Sequence, residues 1–277
     1  MKPSISFIGA GKVSTALGLY FKEKGFEIAG YLSRSEASAQ KAAFKTGSQS
    51  FTDLFELLEN SNVIWITTPD DQIETVASQI ATMLISDKNE KLILHASGVH
   101  DLTVLNVAKR AGYQTATAHP LLAFGNLQEA TEMLADTWFG VEDENDKISK
   151  ILNLCGNHTF RLDKEQKVLY HAAACVLSNY MVTLTDVAEK IFEASGLPAE
   201  SIENAVQPLL ESVVRNIRRS GTQNALTGPI KRGDANTVEM HLDALQQYSP
   251  DITVLYKLLG RQTMQMINDY KLKDILE

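Results

Sequence analysis

The chain has 277 residues, of which 44% are hydrophobic and 22% charged, and it carries a formal net charge of −8. This is the composition of a soluble globular protein with room for two domains, and its acidity argues against a nucleic-acid surface. No apolar run approaches the ~18 residues of a membrane span. The two cysteines, Cys155 and Cys175, make neither a metal pattern nor a disulfide framework, so the reading is no metal and a reducing cytoplasm.

The N-terminal run Ile5 to Ile8 leads directly into Gly9-Ala10-Gly11-Lys12-Val13-Ser14, which reads as a first strand and not a signal peptide. A helical pattern follows, with Val13, Ala16, Leu17, Tyr20 and Phe21 on one face. Strand, glycine turn and helix make the context in which Gly-x-Gly-x-x-Gly indicates a dinucleotide site. Gly9 permits the turn, and Gly11 lets backbone N–H groups approach a pyrophosphate at the positive helix end. The third position holds Ser14, small enough for close helix–strand packing. An ordinary strand–helix turn is the alternative.

Strands are expected at 4–8, 27–32, 62–67, 91–95 and 113–118, alternating with helices, which implies a doubly wound parallel sheet. The second strand ends in Ser33-Arg34-Ser35, with no acid to accept from ribose hydroxyls. A guanidinium flanked by hydroxyls suits a 2′-phosphate, so NADP is expected rather than NAD. Ser33-x-x-Glu36 also fits a helix capping box, which would leave Arg34 free.

Ligands in such folds bind beyond the carboxyl ends of strands. The next three ends read Thr67-Thr68-Pro69-Asp70-Asp71, His95-Ala96-Ser97-Gly98 and His119-Pro120-Leu121. Capping, turn and strand-ending roles explain each of them too. Two histidines beside a nicotinamide position nevertheless make His119 a candidate for chemistry. The runs 137–141 and 158–162 flank another helix and extend the sheet.

From Asp163 the strand signal disappears, placing a domain joint near Leu162, with residues 1–162 as one domain and 163–277 as an all-helical second. One long helix is expected from Lys164 to Ser195, then helices near 199–220, 234–247 and 250–270. His171, Cys175 and Asn179 stand at i, i+4 and i+8 and share a face. Imidazole moves protons near neutral pH, and the Asn amide can orient a carbonyl or imine. A His and an Asn satisfied at a domain interface are the plainer reading. The run Ala225 to Asp234 is a Gly/Pro loop in which Asp234 is placed to cap the next helix. Thr227, Lys231 and Arg232 could bind an anionic substrate or a partner subunit.

Taken together, Gly9-Ala10-Gly11-Lys12-Val13, Thr68-Pro69-Asp70, His95-x-Ser97-Gly98, His119-Pro120-Leu121, His171-x-Ala173, Ser178-Asn179-Tyr180 and Leu226-Thr227-Gly228-Pro229-x-x-Arg232-Gly233-Asp234 resemble the Rossmann-like family whose C-terminal half is domain of unknown function 2520. That family is similar to the group containing pyrroline-5-carboxylate reductase, ketopantoate reductase, prephenate dehydrogenase and 6-phosphogluconate dehydrogenase. The resemblance implies an α/β Rossmann-type domain followed by a 6-phosphogluconate dehydrogenase-like helical domain. It also implies NADP- or NAD-dependent reduction and a homodimer formed through the helices.

His171-x-x-x-Cys175-x-x-x-Asn179 resembles the Lys-x-x-x-Asn-x-x-x-Asn run of ketopantoate reductase in spacing, with His in place of the Lys. His119-Pro120 resembles the His-Pro motif of prephenate dehydrogenase. The expectation is an NADPH-dependent oxidoreductase acting on a small carbonyl, imine or hydroxy compound. Gly9–Val13, Ser33, Arg34, Ser35, Thr68 and Pro69 would hold the cofactor, and Ser97, His119, His171 and Asn179 would line the reaction site, with His171 the favoured proton donor. Thr227, Gly228, Arg232 and Asp234 would complete it from the loop. A non-catalytic NADP-binding or metabolite-sensing module, a deazaflavin (F420)-dependent NADP reductase and a prephenate-dehydrogenase-like enzyme are the alternatives.

Overall fold

The computed structural model describes residues 2–277. The chain forms two compact units, one ending at Ser178 and the other comprising Asn179–Glu277.

In the first unit the elements run β1 (Ile5–Ile8), α1 (Lys12–Glu23), β2 (Ile28–Leu32), α2 (Glu36–Thr46), β3 (Gln49–Phe51), α3 (Leu54–Glu59), β4 (Val63–Ile66) and α4 (Ile73–Thr82). They continue with β5 (Leu92–His95), α5 (Asn106–Arg110), β6 (Gln114–Pro120), α6 (Leu127–Met133), β7 (Trp138–Asp143), α7 (Lys147–Leu154), β8 (His158–Arg161) and α8 (Lys164–Leu177). All eight strands join one sheet in the order β3-β2-β1-β4-β5-β6-β7-β8. Every neighbouring pair is parallel except β6 with β7.

Strands β1, β4 and β5 are buried at every position because both faces of the sheet are covered, and they are apolar except at Ser6 and His95. Phe7, Trp65 and Leu94 point into one core with Leu17, Tyr20 and Phe21 of α1. Ile8, Ile64, Ile66 and Ile93 point into the other with Ile73 and Ile80 of α4. The strand order reverses at β1/β4, so the carboxyl ends of β1, β4, β5 and β6 form one rim at the switch point. β3, a three-residue strand reading Gln-Ser-Phe, was not expected from the sequence.

The sheet ends at Arg161, close to the expected joint, but the first compact unit extends to Ser178. The reason is Lys167, in the first turns of α8, which is completely buried. Its ammonium donates to the His100 carbonyl at 2.5 Å and to Thr117 Oγ1 at 2.7 Å, with the Glu142 carboxylate at 3.9 Å. A buried ammonium requires such partners, so α8 is pinned to the turn after β5, to β6 and to β7. The long helix is interrupted at Ser178 (φ −98°, ψ −67°) and does not run unbroken to Ser195.

The second unit contains α9 (Asn179–Ala194), α10 (Ala199–Ala225), α11 (Pro229–Arg232), α12 (Ala235–Tyr248), α13 (Pro250–Ile267) and α14 (Lys273–Leu276). Gly221 breaks α10 near its end with φ 74° and ψ 168°. Its core is a small cluster of Val238, Met264, Leu272 and Leu276. No residue of α9 is buried, and Tyr180, Val182, Leu209 and Val214 are exposed on α9 and α10.

The segment Lys164–Ala194 is long and apolar enough, by length and composition, to cross a membrane. It contains no uninterrupted apolar run, because scattered polar residues break the run without making the segment polar on average. The buried, polar-bonded Lys167 near its start makes it no clear span.

Burial pushes the Lys167 pKa down to about 8 from 10.5, against the pull of Glu142 and Asp101. The unfolded chain therefore binds more protons between those values, and stability contributed at this site rises with pH across that window. In the difference between wild type and Lys167→Met, measured by urea unfolding at pH 7.5 to 10.5, wild type should gain on the variant as pH rises. Parallel curves would mean that Lys167 does not titrate there.

Candidate functional site

At the rim, Gly9 adopts φ 109° and its amide donates to the Leu32 carbonyl at 2.8 Å. A Cβ at Gly9 would lie 2.7 Å from the Thr67 carbonyl group, so only glycine lets β1 and β4 close together there. Gly11 differs. Its backbone (φ −86°, ψ −169°) suits any residue, and a Cβ there would meet nothing within 4 Å. Gly11 precedes α1 without a side-chain cap, and the first turn holds no acid. The helix N-terminus is therefore open to an anion. Ser14 is fully buried, and its hydroxyl donates to the Gly11 carbonyl at 3.1 Å, so the third motif position packs as expected of a small residue.

Two pockets meet at this rim. The longer, ≈ 670 Å³, is lined by Gly9, Ala10 and Gly11, by Ser33, Arg34 and Ser38, and by Thr67, Thr68, Pro69, Gln72 and Gln79. The shorter, ≈ 180 Å³, is lined by Val13, Thr67, Thr68, Asp70, Ala96, Ser97, His119, Pro120, Leu122 and Phe124. Thr67 and Thr68 belong to both. The Thr68 hydroxyl is buried without a partner, an unmet hydrogen-bonding demand at the junction.

The donor set fits a dinucleotide: an open helix N-terminus, free space over Gly11, and an exposed Arg34 that makes no ion pair among the described residues. The capping-box reading of Ser33 is corrected. Ser35 is the N-cap of α2, its hydroxyl accepting from the Ser38 amide at 3.3 Å, which leaves Ser33 and Arg34 on the cleft. Ser35 itself is thus engaged as a cap, and Ser38 lines the cleft instead. Lys12 also turns away, its ammonium bonded to the Gly125 carbonyl at 2.7 Å.

In the shorter pocket the Ser97 hydroxyl is committed. It donates to Asp70 Oδ2 at 2.9 Å and accepts from the amides of His100 (3.1 Å) and Val99 (3.3 Å), which makes it the organiser of the turn after β5. His95 is a satisfied core histidine. Its Nδ1 accepts from the Ser97 amide, its Nε2 donates to the Asp101 carbonyl, and burial pushes its pKa down to about 3.

His119 is different because its ring reaches the pocket. Its Nδ1 lies 2.7 Å from the Tyr170 hydroxyl on α8. The two rings meet edge-on at 5.5 Å, and Gly140 on β7 leaves room for the phenol: a Cβ there would stand 3.2 Å from it. Burial first, then His171 and Lys167, push the His119 pKa down to about 4, and burial pushes Tyr170 up to about 12. Both are neutral at pH 7. The direction of this bond goes with the imidazole tautomer: when the phenol O–H donates to Nδ1, the ring proton sits on Nε2.

His171 packs edge-on against His119 with centroids 5.8 Å apart, and its Nδ1 lies 3.9 Å from the Cys175 sulfur. Gly98 makes this pairing possible, since a Cβ there would fall 2.4 Å from the His171 ring and 2.9 Å from His119 Nε2. Tyr170 and Lys167, which position these rings, were not singled out from the sequence. Tyrosine and lysine in an amphipathic helix carry no signal of where they will be buried.

Asn179 opens α9 in the second unit, and Thr227, Gly228, Arg232 and Asp234 also belong to that unit. There the expected loop contains the short α11. Asp234 caps α12 by accepting from the Thr237 amide (3.2 Å) and hydroxyl (2.7 Å). Among the described residues no group of three or more His, Cys, Asp or Glu side chains could hold a metal.

Sheet order, glycine turn and helical C-terminal region together define a Rossmann-type protein. Family models make this specific: residues 1–120 match the Rossmann-like domain and residues 137–263 the domain of unknown function (DUF2520). The chain carries a Rossmann-like domain followed by a DUF2520 domain. No curated protein matches it.

Among solved structures it is similar to BF3122 from Bacteroides fragilis, described provisionally as an NADP oxidoreductase. The two are 24% identical over 95% of this chain and 98% of that one, with a TM-score of 0.77. An imine reductase from Pseudomonas sp. is 18% identical over 100% and 99% of the chains, with a TM-score of 0.62. The pyrroline carboxylate reductase of Plasmodium falciparum, with NADP bound, is 15% identical over 96% and 100%, with a TM-score of 0.62.

Gly11→Ala separates fold from binding. The variant should melt within a degree or two of wild type, because its methyl group meets nothing, yet lose most of the thermal shift produced by NADPH. A retained shift would mean that nothing approaches the backbone over Gly11.

Proposed function

We propose that the protein is an NADP-dependent oxidoreductase of the cytoplasm that reduces a small carbonyl or imine compound. One observation carries this: the long cleft over the glycine turn opens, across shared Thr67 and Thr68, into a pocket that ends on a neutral imidazole. The solved relatives named for NADP and for imine reduction support the same reading.

The open N-terminus of α1 would hold the pyrophosphate, and Ser33 and Arg34 would hold the adenosine phosphate. NADPH, when bound, supplies the hydride. His119 presents Nε2–H to the oxygen or nitrogen of the substrate double bond and polarises it, as a neutral imidazole can. Tyr170 holds the tautomer that makes this possible.

With its pKa near 4, His119 is not protonated at pH 7 and is not the acid. His171, the partly exposed ring beside it, is the better donor of the proton that completes reduction. A non-catalytic NADP-binding protein would need none of this pairing of imidazoles.

A panel of cyclic imines and small ketones, followed by NADPH oxidation, tests the reading. NADPH should raise the melting temperature more than NADH does, and equal shifts would remove the role of Arg34. His171→Ala should keep its NADPH affinity and lose turnover; intact turnover overturns its assignment. Tyr170→Phe should lower kcat about 10–100-fold, the usual cost of losing the group that orients a ring, with little change in KM.

The bare apolar faces of α9 and α10 call for a cover. We infer that a second copy of the chain provides it, giving a homodimer through the helical unit. Sedimentation should find a dimer for wild type and a monomer for Val182→Glu; a wild-type monomer sinks the inference.

A further inference from the structure

Beside the glycine turn, between α1 and α2, lies a second cleft of ≈ 390 Å³. It shares Ala10, Gly11 and Ser38 with the long cleft, so the two adjoin at the start of α2. Its lining includes Lys12, Lys41 and Lys45 and no acid, although the chain as a whole has a net charge of −8. A local concentration of cations in an acidic protein marks a place where an anion is favoured.

The three lysines are not equivalent. The Lys12 ammonium is tied to Gly125, and Lys45 stands in the last turn of α2, where a cation offsets the exposed helix carbonyls. Lys41 has no such occupation and makes no hydrogen bond or ion pair among the described residues. Helical side chains lean toward the N-terminus, so Lys41 leans toward Ser38, one turn earlier, and toward Arg34 just before the helix. The sole acid of α2, Glu36, is engaged with Gln40 on the opposite face.

We propose that Lys41 is the second cationic arm of a clamp, with Arg34 and Ser38, for the phosphomonoester on the adenosine ribose of NADP. A phosphomonoester carries close to two negative charges at pH 7. Arg34 answers one with its planar fork of donors, and Lys41 supplies the other as a point charge from the far side of Ser38. The proposal rests on the cofactor reading above and adds a residue outside the strand-end motif.

Calorimetric titration of wild type, Lys41→Ala and Lys41→Arg with NADP+, NAD+, 2′,5′-ADP and 5′-AMP tests it without any substrate. Lys41→Ala should bind NADP+ and 2′,5′-ADP about tenfold more weakly, the loss of one charge-assisted contact, and bind NAD+ and 5′-AMP as wild type does. Lys41→Arg should recover most of the loss, and Lys45→Ala should leave all four affinities unchanged. An equal loss for all four ligands overturns the clamp, as does no loss. So does a Lys41-dependent site for inorganic phosphate that NADP+ does not displace. Wild type that binds neither dinucleotide sinks the cofactor reading itself, whereas wild type that binds NADP+ through an indifferent Lys41 sinks only the clamp.

Discussion

The ammonium of Lys167 has no route to water, and the structure around the pocket depends on what it must touch. Its donors are met by the His100 carbonyl and the Thr117 hydroxyl, one in the turn after β5 and one inside β6. Helix α8 therefore has one position on the sheet at which its charge is satisfied. Tyr170 and His171 follow at one helical turn from Lys167 and share its side of the helix. They reach His119 because Lys167 is anchored, and Gly98 and Gly140 are the places where the sheet makes room for them. A buried charge thus aligns neutral groups.

That alignment gives two histidines of the same rim opposite characters. His95 is enclosed, with both nitrogens spent on its own strand end. His119 spends one nitrogen on Tyr170 and turns the other toward Gly98 at the pocket. Both are held neutral by burial, but only His119 keeps a ring nitrogen without a hydrogen-bond partner among the described residues. The difference arises from a single phenol hydroxyl and not from the strand-end motifs, which look alike in sequence.

The parts of the fold governed by local chemistry were legible in the residues. Apolar runs with alternating glycine turns and amphipathic helices lead to seven of the strands and to the helical C-terminal region, because periodicity reports burial directly. β3 escaped because Gln49-Ser50-Phe51 is short and half polar, and it exists only because β2 offers it an edge. The break at Ser178 escaped because nothing in Leu177-Ser178-Asn179 forbids a helix. At the rim, Gly9, Gly11, Arg34 and Thr68 stand just beyond strands and His119 near the end of β6, and all five line the pockets there, a placement that strand-end motifs make legible. Ser97 and Ser35 were read as ligand contacts, yet short hydroxyl side chains near turns are drawn first to backbone amides. Lys167 and Tyr170 were invisible, since their roles depend on tertiary placement alone.

The same distinction bears on how this rim divides its labour. Gly9 and Gly11 belong to one motif, but only the first is required by the packing of the fold, and the second leaves room for the cofactor proposed above. A methyl group at Gly9 collides with Thr67, whereas one at Gly11 enters empty space. Nothing in folding requires glycine at a position where alanine meets no atom and the backbone is extended. The free space there lies beside an uncapped helix N-terminus, a combination that suits the approach of an anion. The unpartnered Thr68 hydroxyl makes the parallel point at the far end of the cleft. Packing accounts for neither feature, and both lie where the proposed cofactor would run, toward the imidazole that Tyr170 contacts.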